Sequence, residues 1–496
     1  MNWLTRAKDF LRRSDGSLQQ KALRSGFWVG LSGVLGAGLS FVRSVVLARL
    51  LMPEAFGLMA ICSMVIQGIE IFTETGFGAA LIHRQQRFEE ARDTAFTLWV
   101  LRGMGLAFIA VCLSPWVGTF YGQEVLTSMV PVIGMSFIIT GFRNVNMIAL
   151  QKELDFKRLI YVELISAVLN TIISIGLAYR LGSVWALVYA QLAAAIISVG
   201  LSYALVPGRP RFCLDRAIAK ELFAYGKFMT ALAVVVYIGN QLDTATIGKV
   251  LGMEALGYYS LAYTLANLPS TNLSKIVAKV LFPMFSKLQS DVPQLRREYA
   301  RGVRLLATVV VPVSLGIVVL ADDIVLVLYG AKWAPAAMPL RVLAVFGCFQ
   351  ALWMLNGYLF NAIGKPHVDF YANASRLIIV LVLLYPCTIA FGILGTSLAV
   401  TIPMACQFAV GLYLSRQVIG VPLVDTMWPL ATAVFQGGIM AVVLWGAKSV
   451  VPSDSLLGLG VLGLIGAAVA ILFNHKDLRM HLKNSRLSPV SIRQTS

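Results

Sequence analysis

Apolar residues in this chain fall in blocks of roughly 20, separated by short clusters of Lys, Arg, Pro and Gly. A helix of about that length crosses a hydrocarbon core about 30 Å thick. The pattern predicts fourteen membrane-spanning helices, over 25–47, 56–81, 94–119, 126–149, 159–180, 183–206, 222–247, 255–282, 303–320, 338–362, 368–390, 393–415, 427–447 and 455–473. At Arg180–Leu181–Gly182 and at Gly392 the turns are so short that the flanking helices must run antiparallel. A β-barrel would show segments of about ten residues with alternating polarity. Continuous runs such as Leu305–Leu320 and Leu377–Leu384 exclude it.

Composition agrees with an all-α integral membrane class. Of 496 residues, 58% are hydrophobic and 13% charged, with a mean hydropathy of +0.77. A soluble protein carries about twice that charge, so too little polar surface remains to coat a water-soluble domain of this size. The opening residues are polar, with Arg6, Lys8, Arg12, Arg13 and Lys21. No small-residue cleavage site follows a short apolar core there, so the first span is expected to act as its own insertion signal.

The basic residues orient the spans. Loops on the N-terminal side carry 28 of the 41 Lys and Arg, and the opposite loops carry six: Arg49, Arg180, Lys249, Lys332, Arg341 and Lys448. Retained positive charge marks the cytoplasmic side, so both termini are expected inside. The net charge of +17 is read as this topological signal together with attraction to anionic headgroups, not as a nucleic-acid footprint. Six scattered cysteines without a CxxC pair, and four histidines in loops or tail, build neither a disulfide framework nor a metal site.

An internal repeat organises the helices. The run Arg49 to Gly57, with Pro53-Glu54-Ala55-Phe56-Gly57, returns 200 residues later as Lys249 to Gly257, with Met253-Glu254-Ala255-Leu256-Gly257. Each copy joins an odd-numbered span to the next on the outer face. The chain therefore divides into a cytoplasmic segment 1–24, an N-lobe 25–206, a linker 207–221, a C-lobe 222–415, two appended spans within 427–473 and a cytoplasmic tail 474–496. Six spans per half make the halves parallel repeats related by an axis along the membrane normal, enclosing a central cavity.

Ionisable side chains inside apolar blocks cost several kcal/mol on insertion scales and mark candidate function. They are Arg43, Glu70, Glu74, Arg102, Arg143, Asp243, Lys275, Lys279 and Arg376. Glu70/Glu74 and Lys275/Lys279 are i,i+4 pairs, each on one helix face, at nearly equivalent depths in the two halves. Glu74, Arg102, Arg143, Lys275, Lys279 and Arg376 fall in the cytoplasmic half of their spans; Arg43 and Asp243 lie nearer the outer end. Guanidinium forks and ammonium groups at headgroup depth bind phosphate oxygens. Structural alternatives stand beside this reading. Lys279 can snorkel, Arg43 and Arg102 can pair with Glu70 or Glu74, and Asp243 can pair with Lys249. Asn240, Asn356 and Asn361 can join helices. No nucleotide-binding or hydrolase motif stands in a suitable context.

Five blocks carry a family likeness: Val46–Leu58, Thr75–Arg84, Leu150–Phe156, Leu256–Ala262 and Val280–Pro283. In these the chain resembles the polysaccharide repeat-unit flippases (Wzx-like), nearest the colanic-acid-type branch. They belong to the exporter superfamily that also holds multidrug extruders and the peptidoglycan-precursor flippase. The resemblance implies a multi-pass protein of the bacterial inner membrane. It would move an undecaprenyl-diphosphate-linked oligosaccharide from the cytoplasmic to the periplasmic leaflet by alternating access, for exopolysaccharide, capsule or O-antigen synthesis. It would be a transporter rather than an enzyme and need no cofactor. Arg43, Arg102, Arg143, Lys275, Lys279 and Arg376 would serve the diphosphate and sugar. Glu70, Glu74 and Asp243 would serve sodium or proton coupling, or salt bridges. Membrane lipids and a polysaccharide polymerase or export machinery would be partners. The alternatives are an ion-coupled multidrug antiporter, expected to have an acidic, aromatic cavity, and a membrane polymerase or ligase, expected to carry a long outer loop.

Overall fold

The computed structural model describes residues 18–71, 88–152, 156–451 and 455–485, and every regular element among them is helical. Contacts divide the chain into two compact units, Met1–Ser260 and Leu261–Ser496. The first contains α1 (Leu18–Leu50), α2 (Pro53–Ile71), α3 (Phe88–Tyr121), α4 (Glu124–Gly141), the short α5 (Asn146–Lys152), α6 (Phe156–Leu181), α7 (Trp185–Leu205) and α8 (Arg216–Val250). Helix α9 (Met253–Lys287) begins in this unit and continues into the second. The second unit goes on with α10 (Val292–Ile324), α11 (Ala337–Ala362), α12 (Pro366–Ile419), α13 (Leu423–Lys448) and α14 (Leu456–Ser485).

Nine helices among the described residues are long and apolar enough to cross a membrane, fewer than the fourteen spans expected. One of the nine counts for two. Helix α12 has 54 residues, about 80 Å of continuous helix, far beyond one bilayer. It reverses at Gly392, where φ is 59° and ψ −137°, a conformation open to glycine and strained for other residues. The Thr388 and Thr396 hydroxyls face each other at 2.8 Å across the turn. Further down, Gln407 Nε2 donates to Asn373 Oδ1 at 3.2 Å. These cross-links have the register of an antiparallel hairpin, the reversal expected from sequence at Gly392.

Span boundaries also differ. The fourth span was expected over 126–149, yet α4 ends at Gly141 and the chain bends through 142–145 before α5. The bend is held by Asn144. Its side-chain amide donates to the carbonyls of Ser202 (3.3 Å), Val206 (3.2 Å) and Gly208 (3.0 Å), while its backbone N–H donates to Ser202 Oγ at 3.1 Å. Helix α10 begins at Val292 rather than 303, because Asp291 caps it by accepting from Gln294 N–H at 3.1 Å.

Glycine sets the closest helix approaches in the first unit. A methyl on Gly103 would overlap the Phe137 carbonyl, and one on Gly141 would crowd the Trp99 carbonyl, so α3 and α4 meet backbone to backbone. The repeat reappears here as a reciprocal contact. Gly57 packs on the carbonyl of Met253, and Gly257 packs on the carbonyl of Pro53. In the second unit, α10 packs on α11 and α13, and α13 on α14. One end of the α10–α13 pair is fixed by an ion pair between Asp323 and Lys448 at 2.7 Å.

Candidate functional site

Lipid offers no hydrogen bonds, so a charged group inside an apolar helix must find them within the protein. In the first unit, Arg102 on α3 meets that demand with backbone. Its Nη2 donates to the Glu70 carbonyl of α2 at 3.1 Å. The Tyr237 hydroxyl of α8 donates to the Met64 carbonyl and lies against Gly68, where a methyl would stand 3.1 Å from it. Two polar side chains from different helices thus hold the second half of α2 by its carbonyls. The Glu70 side chain itself is exposed, and Glu74 lies outside the described residues.

Arg43 is half-buried on α1, the helix that packs on α6. Asp243 is buried on α8, where its carboxylate accepts from the Tyr259 hydroxyl and from Thr244 N–H at 2.7 Å. Lys249, its expected partner, instead donates to the Phe120 carbonyl and sits 4.8 Å over the Phe120 ring.

Arg143 stands in the bend after α4. Its Nε is buried and makes no hydrogen bond. Burial lowers the guanidinium pKa, and the negative charge of Glu163 on α6 partly opposes that shift. A buried cationic donor with spare hydrogen-bonding capacity is suited to an anion. The same side of the unit is tied together by the linker after α7. Backbone N–H groups of Arg211, Cys213 and Asp215 donate to Asp93 Oδ1 (3.2 Å), Thr97 Oγ1 (2.9 Å) and Thr94 Oγ1 (3.3 Å) at the start of α3. Asp93 also accepts from Arg92 Nε at 2.8 Å.

In the second unit Arg376 is buried, one turn beyond a ladder of amides. Asp369 accepts from Asn361 Nδ2 (3.2 Å) and Asn373 Nδ2 (2.9 Å), and Asn373 in turn accepts from Gln407. Deeper in the unit the Tyr299 hydroxyl donates to Asn356 Oδ1 at 2.6 Å. Helix α9 carries Lys275 and Lys279, whose side chains lie outside the described residues. The structure therefore brings Arg102 to Glu70 and Arg143 near Glu163, and gives Asp243 a tyrosine. Charge alone could not single out Tyr237, Asn373 or Gln407; the recurrence of neutral polar groups within apolar blocks was the available signal. Among the described residues, no three His, Cys, Asp or Glu side chains gather as metal ligands.

Comparison with known proteins agrees with this architecture. Residues 46–338 match a family model described as polysaccharide biosynthesis protein, and all five blocks of sequence likeness lie inside that range. The teichuronic acid biosynthesis protein TuaB of Bacillus subtilis is 29% identical over 353 residues, covering 71% of this chain and 73% of the relative. The lipopolysaccharide biosynthesis protein WzxC of Escherichia coli is 25% identical, covering 73% and 74% respectively. Among solved structures, the lipid II flippase MurJ in an inward closed conformation superposes with a TM-score of 0.72 at 15% identity, over 93% of this chain and all of that one. An inward-facing multidrug resistance transporter of the MATE family gives 0.62 at 18% identity, over 77% and 94%. The fold is that of these multi-helix transporters.

Proposed function

The chain belongs to the polysaccharide biosynthesis protein family, and from that premise we propose that it is a flippase for lipid-linked oligosaccharides. In this reading an undecaprenyl-diphosphate-linked repeat unit passes from the cytoplasmic to the periplasmic leaflet of the bacterial inner membrane. Two six-helix lobes, 25–206 and 222–415, alternate in access, and both termini are cytoplasmic. The protein carries its substrate across and does not alter it chemically. A polymerase or export complex would take the product on the far side.

The observation that carries the reading is cationic and amide chemistry set within and between apolar helices. Arg143 keeps a buried guanidinium donor unused, and Arg376 lies beside the Asn361–Asp369–Asn373–Gln407 ladder. Diphosphate oxygens call for the first kind of group and sugar hydroxyls for the second, while the polyprenyl tail needs only the bilayer. Arg43, Arg102, Lys275 and Lys279 would complete the path. Glu70, Glu74 and Asp243 would couple it to sodium or protons or hold it by salt bridges. The relatives' names, which include a succinoglycan biosynthesis transport protein, point to the same substrate class.

Gene deletion in the source organism tests this. The expected result is loss of surface polysaccharide with lipid-linked repeat units accumulating on the cytoplasmic leaflet. Normal surface polysaccharide, with heightened sensitivity to small cations, would replace this reading with the multidrug antiporter.

A further inference from the structure

A basic cluster among the described residues of the second unit lies outside every residue discussed so far. A groove of about 700 Å³ runs between the first turns of α10 and α13. Helix α10 lines it with Arg296, Arg297, Arg301 and Arg304; helix α13 contributes Val424, Asp425 and Trp428. We propose that this groove binds the headgroup of an anionic phospholipid, its phosphate on the arginines and its acyl chain along Val424 and Trp428.

Depth is the first argument. No charged residue occurs between Arg304 and Asp322 on α10, a rise of about 27 Å at 1.5 Å per residue, close to the hydrocarbon thickness. On α13 the uncharged stretch runs from Asp425 to Lys448, with exposed Trp428 and Trp445 near its ends, the placement of aromatic belts at the two interfaces. The Asp323–Lys448 ion pair joins the C-terminal ends of the two helices, so they run parallel with their first turns together at the groove. Arg304 and Trp428 therefore stand at headgroup level of one leaflet, the one facing the basic loops.

The shape of the cluster is the second. Arg297, Arg301 and Arg304 follow i,i+4,i+7 spacing and share one helix face. Arg296 is already engaged: its Nε donates to the Ile419 carbonyl, and its guanidinium covers Gly420, which turns left-handed at φ 71° to end α12. It fixes the groove wall, and Arg297, Arg301 and Arg304 line the rest of the groove beside it. Glu298 lies 3.8 Å from Arg301, and Asp425 is the single carboxylate of the lining, so positive charge remains in excess. Val424 and Trp428 are 72% and 70% exposed, an apolar flank directly beside the cations. A free polyanion has no use for that flank; an amphiphile uses both.

The test is native mass spectrometry of the full-length protein with phosphatidylglycerol and, separately, phosphatidylcholine. Wild type should retain phosphatidylglycerol preferentially. In Arg297→Gln/Arg301→Gln/Arg304→Gln that affinity should fall on the order of a hundred-fold, at about five-fold per interfacial cation. Should the triple variant fail to fold, Arg304→Gln alone should show about a five-fold loss. Equal retention of the two lipids by wild type, or unchanged affinity in the folded variants, would overturn the proposal. Displacement of phosphatidylglycerol by inorganic pyrophosphate, or tighter retention of undecaprenyl diphosphate, would also overturn it and hand the groove to a diphosphate ligand.

Discussion

Gly57 rests on the carbonyl of Met253, and the equivalent residue of the second repeat, Gly257, rests on the carbonyl of Pro53. The contact is its own mirror in sequence, since Met253 and Pro53 also occupy equivalent positions 200 residues apart. A repeat first visible as a pattern of letters is thus a physical interface, with glycine required because the opposing surface is backbone. Gly57→Ala and Gly257→Ala should each lower stability by about 1–3 kcal/mol, the usual cost of overpacking a close contact. Gly438→Ala, where a methyl meets open space, should not. Melting of the detergent-solubilised protein followed by size-exclusion fluorescence distinguishes them.

The ion pair between Asp323 and Lys448 joins α10 to α13 at 2.7 Å, with the Asp323 side chain buried. Removing the lysine strands a buried carboxylate, and such changes cost about 3–5 kcal/mol. Lys448→Met should therefore melt well below wild type. Adding Asp323→Asn should recover much of the loss, because the stranded charge is then gone.

Asn144 carries three carbonyls on one amide. Asn144→Ala should cost about 1–3 kcal/mol by leaving buried acceptors unsatisfied. Hydrogen exchange should speed up at residues 206–215, because that linker is tied to Asn144 and to the start of α3. An unchanged exchange rate there would mean that Asp93, Thr94 and Thr97 hold it alone.

Under the proposed function, Lys275→Glu/Lys279→Glu should abolish polysaccharide export while the protein still inserts at normal abundance. Export at the wild-type level would assign the two lysines to snorkelling. The measurement is surface polysaccharide per unit of membrane-localised protein.

The helical blocks and the hairpin turn were legible because bilayer thickness and backbone sterics act within a few residues of sequence. An apolar run of about 20 and a glycine between two of them need no distant partner to be read. The break at 142–145 was not legible, since the groups that stabilise it, Ser202, Val206 and Gly208, lie some sixty residues away. The same holds for Gln407 and Asn373, which meet only through the register of the α12 hairpin. Asp243 shows the limit for the site. Its charge was visible in the sequence, but its tyrosine partner comes from the next helix, across a turn. The arginines of α10 were visible too, yet a count of loop charges hides that three of them share a face.

The reversal at Gly392 also bears on how the chain is made. With one residue between its arms, α12 leaves no loop that could wait in water while a single arm crosses. Its two apolar arms are suited to enter the bilayer together, as one hairpin. The Thr388–Thr396 and Asn373–Gln407 cross-links then close inside lipid, out of reach of competing water.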